Sequence, residues 1–237
     1  MRHFDRADSL KIERKGKSDF VSQVDRGAEA EIVKIIRKHH PDHSILGEEG
    51  GISGSNSEVR WIIDPLDGTT NFLHALPHFA VSIGIEVRGR LEHGVVYAPC
   101  TQDLYVASSG DGATLNSRRI RVSKTVAVED ALVGTGFPIR NPEAMARYVP
   151  MVSNIADHTA GVRRAGAAAL DLAYVAAGRL DAFFELNLKP WDIAAGIVLV
   201  REAGGTILPI SAGEVLEHGN ILAANAKLAN PIKSLIC

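Results

Sequence analysis

Cysteine is scarce in this sequence: Cys100 and Cys237 are the only two, far apart and outside any C-x-x-C pattern. That argues against a disulfide framework and a cysteine-ligated zinc cluster, and it fits a reducing, cytoplasmic setting. Long apolar runs are missing too. No stretch reaches the roughly 18 apolar residues of a membrane span, and the charged N-terminus MRHFDRADSLKIERKGK has no apolar signal core. Neither export nor a membrane anchor is expected. An excess of one charge is also absent: the formal net charge is −2 with no dense Lys/Arg tract, so direct nucleic-acid binding is not expected. What remains is 46% hydrophobic and 23% charged residues in 237, an ordinary globular composition able to bury a sizeable core.

Periodicity divides the chain into recognisable elements. DRGAEAEIVKIIRKHHPDH places Ala28, Ile32, Ile35 and Ile36 at helical spacing, with Asp25 as a candidate cap and Pro41 as a stop. HSILGEEGG reads as a short strand entering a Gly-rich loop, and EVRWIIDP as a strand ended by its proline. FAVSIGIEV alternates strictly, with Phe79, Val81, Ile83, Ile85 and Val87 on one face. Its other face carries Ala80, Ser82, Gly84 and Glu86, small enough for a helix to lie across. HGVVYAP and DLYVASSGDGATLN continue as strands. Beyond them strand and helix alternate: EDALVGTGFP is strand-like and NPEAMARYVPMVSNIADHT helical. GAAALDLAYVAAGRLDAFFEL and WDIAAGIVLVREAGGTILPI each read as a helix stopped by glycine, at Gly178 and at Gly204-Gly205, and followed by a strand. Two packed halves, 1–155 and 156–237, are expected, and GGISGSNSE at 50–58 reads as a mobile surface loop.

Acids collect where these elements end. Glu48 and Glu49 follow one strand, Asp64 and Asp67 the next, and Asp192 opens a helix after Trp191. Any one of them alone is ordinary turn chemistry. If they converge, like charges about 4 Å apart repel by roughly 4 kcal/mol at an effective dielectric near 20, so they must take up protons or hold a cation. An oxygen-only donor set favours magnesium or manganese over zinc. In DPLDGTTNF, Gly68 allows close backbone approach, and the amides of Gly68 and Thr69 open a helix N-terminus suited to an anion. Metal beside an anion site implies phosphate. With no G-x-x-x-x-G-K-[ST] present, hydrolysis is favoured over nucleotide-dependent transfer.

Three stretches, GEEGG at 47–51, WIIDPLDGTTNF at 61–72 and KPWDIAAGIVLVREAGG at 189–205, resemble in order and spacing the signature motifs of the inositol monophosphatase family. KSDFVSQVD at 17–25, GATLNSRRIRVS at 112–123 and RRAGAAALDLAYVAAGRLDAFFEL at 163–186 are similar to its bacterial branch, so the likeness covers nearly the whole chain. The resemblance implies an α/β (α+β) fold, a layered αβαβα sandwich, and a lithium-sensitive, Mg²⁺-dependent phosphatase that is usually a homodimer. It implies that Glu48, Asp64 and the Leu66 carbonyl hold a first metal and that Asp64, Asp67 and Asp192 hold a second, with a third, weaker ion on Glu48 and waters. Thr69 and Asp25 match the pair that orients and deprotonates the attacking water, and the Gly68 and Thr69 amides would hold the phosphate. Asp67, Gly166, Ala167, Ala168, Glu185 and Asp192 match the positions that contact the sugar, so the expected partner is a small phosphorylated polyol. Inositol monophosphate is the first substrate implied. Fructose 1,6-bisphosphate, 3′-phosphoadenosine 5′-phosphate and histidinol phosphate are the alternatives, GTTNF favouring the inositol branch. A regulatory role in binding the transcription machinery is the alternative of another class.

Other residues receive plainer readings. His39, His40 and His43 straddle a helix end and a proline and read as exposed loop histidines; Asp171 reads as an ion-pair or capping partner. Trp61 and Trp191 read as core packing beside the site, and Arg163 and Arg164 as exposed or salt-bridged, within possible reach of an anion. Two departures from the family pattern stand out. The long amphipathic helix expected before KSDFVSQVD is largely missing, since MRHFDRADSLKIER has little apolar periodicity. Ala167 stands where many relatives have a hydroxyl residue, which removes one substrate hydrogen bond and broadens the expected specificity.

Overall fold

The computed structural model describes residues 4, 12–16, 19–54, 57–139 and 141–237, with the backbone alone for 12–16 and 19–22. The hairpin β1 (Ile12–Gly16) and β2 (Asp19–Ser22) leads into α1 (Gln23–His39), which ends just before Pro41. Lys17, Ser18 and most of the segment before them lie outside the described residues, so the expectation about a missing first helix does too. Next come β3 (Ser44–Gly47), β4 (Gly51–Ser53), β5 (Val59–Asp67), the short α2 (Thr69–Leu73), β6 (Ala80–Val87), β7 (Arg90–Ala98), β8 (Asp103–Ser108), β9 (Gly112–Leu115) and β10 (Arg118–Arg119). These strands form one eight-stranded sheet in the order β10-β9-β8-β7-β6-β5-β3-β4, antiparallel except where β3 runs parallel to β5. The second sheet takes β11 (Leu132–Thr135), β12 (Gly161–Arg163), β13 (Ala182–Glu185), β14 (Gly205–Pro209) and β15 (Ile221–Asn225) in the order β12-β11-β13-β15-β14.

Helices fill the remaining layers. α4 (Ala168–Ala176) and α5 (Pro190–Glu202) pack on each other between the two sheets, while α3 (Pro142–His158) and α7 (Ala229–Ile236) cover the outer face of the second. α1 lies against the outer face of the first, where Ile36, Ile45 and Ile63 form a small core. The result is the αβαβα sandwich the sequence implied. α6 (Val215–His218) closes the connection to β15.

The small-residue face of β6 does lie under a helix. A Cβ on Gly84 would come within 2.6 Å of the Ala194 methyl, one on Gly94 of β7 within 2.5 Å of the Ala195 carbonyl oxygen, and Ser82 Oγ donates to the Trp191 carbonyl at 3.2 Å. Glycine, alanine and serine thus let α5 approach the sheet almost to backbone contact, and that approach carries Asp192 over the ends of β5 and β6. Other expectations are corrected. Residues 51–53, read as loop, form an edge strand because Ile45–Gly47 supplies an antiparallel partner; Ser55 and Asn56 lie outside the described residues. Ile35 is 59% exposed because the stripe of α1 that faces the sheet is centred on Ile36. Among the described residues no helix is long and apolar enough to cross a membrane.

Candidate active site

The pair Asp64 and Asp67 owes its placement to a bulge. Asp64 faces Ser82 and Asp67 faces Ala80, so three steps along β5 match two along β6. In a regular strand residues three apart point to opposite faces; one extra residue returns both to the same side. Pro65, expected to end the strand, instead lies in this bulge, where the N–H it lacks is not needed by the ladder. Asp64 Oδ1 accepts a hydrogen bond from the Leu66 amide at 2.9 Å. Gly68 then turns the chain with φ of 92°, a left-handed conformation that glycine adopts without penalty.

Thr69 opens α2 on the far side of that turn. Its hydroxyl lies 3.0 Å from Asp25 Oδ1 and 3.1 Å from the Leu66 carbonyl oxygen, a carbonyl whose second lone pair can serve another donor or a cation. Asp25 is buried and sits inside the first turn of α1, not at its cap, because the helix begins at Gln23. Buried Asn71, not singled out from the sequence, donates to the carbonyls of His78 at 2.7 Å and Ala165 at 3.0 Å. It ties α2 to the segment that leads into β6 and to the loop ahead of α4.

Glu48 follows β3, its amide bonded to the Ile63 carbonyl at 3.1 Å beside the start of the bulge. The loop that bears it is held by a residue the sequence reading missed. Glu29, one turn after Asp25 on α1, is 6% exposed and accepts from the amides of Glu49 (2.9 Å) and Gly50 (2.6 Å) with its two oxygens. A Cβ on Gly47 would lie 2.5 Å from this carboxylate and one on Gly50 2.7 Å from it, so the glycines of GEEGG make room for Glu29. The D-x-x-x-E spacing in a helix, two acids on one buried face, was the available signal.

The second half of the chain reaches the same place through α4 and α5. Asp67 Oδ2 accepts from the Ala169 amide at 2.8 Å. This takes the role of an N-cap for α4, because Ala167 occupies the cap position with no side-chain acceptor and is itself buried. Gly166 (φ 89°), Ala167 and Ala168 are thereby held next to Asp67, while Arg164 lies over Gly166, where a Cβ would meet its guanidinium at 2.6 Å. Asp192, in the first turn of α5, accepts from the Lys189 amide at 2.7 Å. Glu185 ends β13, half-buried, and feels the charges of Asp192, Asp171 and Asp67.

Burial and mutual repulsion dominate the electrostatics. Asp64 is held well above the usual carboxylate range by burial and by Glu48, Asp67 and Asp192; Asp67 likewise by burial and Asp192. Burial raises Glu185, with Asp192 and Asp171 adding to it. Asp171, 2% exposed, is pushed up to about 8 by burial, and its Oδ1 has no hydrogen-bond partner, so it is not the ion-paired or capping residue expected. Trp61, half-buried, packs against the Ile36–Ile45–Ile63 core as expected, and it also donates to His43 Nδ1 at 3.0 Å and stands against the stacked rings of His40 and His43. Among the described residues no three Asp, Glu, His or Cys side chains are already drawn together around one point. The acids nevertheless fit a hard divalent cation, being all-oxygen donors that repel one another, Asp64 and Asp67 buried and Glu48 and Asp192 half-buried.

Comparison with known proteins identifies the family and the fold. Residues 1–236 match the model of the inositol monophosphatase family. A relative from Pseudomonas aeruginosa, named Nus factor SuhB, is 51% identical over 232 residues, which cover 95% of this chain and 86% of the relative. The crystal structure of extragenic suppressor protein suhB from Bartonella henselae superposes with a TM-score of 0.95 at 43% identity, over 99% of this chain and 91% of that one. SaIMPase-II, solved with inositol monophosphate bound, gives a TM-score of 0.79 at 31% identity, over 89% of this chain and 82% of that one.

Proposed function

The chain belongs to the inositol monophosphatase family, and from that premise we propose that it hydrolyses a small phosphate monoester, inositol monophosphate foremost, to the free alcohol and phosphate. The observation that supports this most is the bulge in β5, which puts Asp64 and Asp67 on one side of the strand while Thr69, just beyond, is bonded to Asp25. In this reading Glu48, Asp64 and the Leu66 carbonyl hold one Mg²⁺, and Asp64, Asp67 and Asp192 a second. A third rests on Glu48, and Mn²⁺ is a possible substitute. Bound there, the metal supplies a lowered pKa for the attacking water and neutralises charge on the leaving alkoxide.

The protein's own groups do the rest. With its proton shared between Asp25 and the Leu66 carbonyl, the Thr69 oxygen presents lone pairs to the attacking water, and Asp25 takes up the proton that moves through it. The amides of Gly68 and Thr69 face the phosphate oxygens. Asp67, Glu185 and Asp192, with the backbone of 166–168, contact the hydroxyls of the polyol. The 1–155 half brings most metal ligands and the 156–237 half most polyol contacts, in a cytoplasmic homodimer. A substrate panel with Mg²⁺ tests the specific name. Inositol monophosphate is expected to give the highest kcat/KM, and preference for fructose 1,6-bisphosphate, 3′-phosphoadenosine 5′-phosphate or histidinol phosphate would replace the name while sparing the class.

A second reading, regulatory binding within the transcription machinery, draws on the printed name of the Pseudomonas aeruginosa relative, Nus factor SuhB. It prevails if the purified protein releases no phosphate with Mg²⁺ while an Asp67→Asn variant keeps the protein's cellular effect.

A further inference from the structure

Gly136 follows the last residue of β11, and its φ is not positive, so backbone conformation does not account for a glycine there. Space does. A Cβ at 136 would lie 2.0 Å from Glu185 Oε1 and 2.1 Å from both Cδ and Oε2, so the whole carboxylate of Glu185 occupies the place of the missing side chain. Thr135 pairs with Phe184 in the parallel β11–β13 ladder, so Gly136 and Glu185 come next side by side, Glu185 still paired with Ile221 of β15. Beneath them the strand ends are locked. Thr135 Oγ1 and Tyr148 Oη, both fully buried, each lie 2.9 Å from the Phe184 carbonyl oxygen, and the two hydroxyls also bond to each other. The three atoms a methyl group at 136 would meet first all belong to the movable end of the glutamate, while the strand backbone is fixed, so the glutamate is what gives way.

We propose that Gly136 is a specificity-determining residue: by having no side chain it seats the Glu185 carboxylate against the ends of β11 and β13, and so sets where that carboxylate meets the hydroxyls of a phosphorylated polyol. This rests on the phosphatase reading above. It identifies a residue that contacts no reacting atom, lies far in sequence from the acidic motifs, and selects among substrates by what it leaves empty. Glycine is then required at 136 for polyol recognition and not for folding. Larger residues at this position would favour substrates that make no use of Glu185.

The test uses Gly136→Ala, Glu185→Ala and the double variant in the full chain with Mg²⁺, and reads kcat/KM for inositol monophosphate relative to phenyl phosphate, which has no polyol hydroxyls. Gly136→Ala is expected to lower that ratio about tenfold, the scale of one misplaced polar contact, mainly through KM, and to lower it no further when Glu185 is already alanine. An unchanged ratio, or an equal fall in the Glu185→Ala background, overturns the proposal. A crystal structure of Gly136→Ala gives a readout that does not depend on activity. The Glu185 carboxylate is expected to leave its seat while β11 and β13 stay in place; a carboxylate that stays while the strands shift overturns the proposal. Should the unaltered protein hydrolyse neither ester, the phosphatase reading falls and so does the selective role of Gly136.

Discussion

Asp171 and Thr69 show how differently two polar residues near one site can be used. Asp171 is buried without a partner for one oxygen, and its proton affinity is raised to about pH 8 by burial, Arg164 opposing the shift. A carboxyl that binds its proton more tightly when folded stabilises the fold below its unfolded pKa near 4, and that contribution is lost as pH rises through about 8. Asp171→Asn stays neutral throughout, so the variant's Tm relative to the parent is expected to climb between pH 5 and 8.5, by about 3 °C or more. Thermal scans at several pH values decide it, and a constant difference would refute it. Thr69 instead carries the proposed water-orienting role, its hydroxyl bonded to Asp25 and the Leu66 carbonyl. Thr69→Ala is expected to lower kcat about 100-fold and Thr69→Ser much less, since the hydroxyl that bonds Asp25 is kept. Equal losses in steady-state assays of the two variants would remove Thr69 from the water-orienting role.

At the scale of elements, what could be read in advance follows from what each element depends on. α1, α3 and α5 were legible because their prolines and the spacing of their apolar residues are local, and the small face of β6 announced the helix above it. β4 was not, because a Gly- and Ser-rich segment becomes a strand only when an edge such as Ile45–Gly47 is offered to it. The course of β5 through Pro65 was hidden for a related reason: a bulge is a property of two strands, and one sequence segment shows only a proline. The acids of the motifs were visible by type and spacing. Glu29, Asn71 and Gly136 were not, because their significance lies in what sits against them 20 to 94 residues away. Two glycine substitutions test the packing, one beneath α5 and one on the open face of α1. Gly94→Ala is expected to destabilise by about 1–3 kcal/mol through overpacking against Ala195. Gly27→Ala in α1, where nothing lies within 4 Å of the added methyl, should stabilise by about 0.5–1 kcal/mol. Chemical denaturation measures both, and opposite signs to these would contradict the packing described.

Across the whole molecule, two sheets and their helices bring acids from distant segments near enough to raise one another's proton affinity. Asp64, Asp67 and Glu185 are all shifted upward by burial and by neighbouring carboxylates. Each therefore favours the folded state at low pH and loses that contribution as pH rises past the ordinary carboxylate range. Protein freed of divalent cations by a chelator is expected to lose stability from about pH 5 to pH 8, and millimolar Mg²⁺ to restore it most at the higher pH, by binding the folded state alone. A melting temperature indifferent to Mg²⁺ at every pH would count against the cation site. The central claim is that these acids make a metal-dependent phosphatase, and phosphate release from inositol monophosphate tests it most directly. Release that requires Mg²⁺ and falls below a tenth of its rate in both Asp67→Asn and Asp192→Asn is the predicted result; release that survives in either variant at a tenth or more would contradict it.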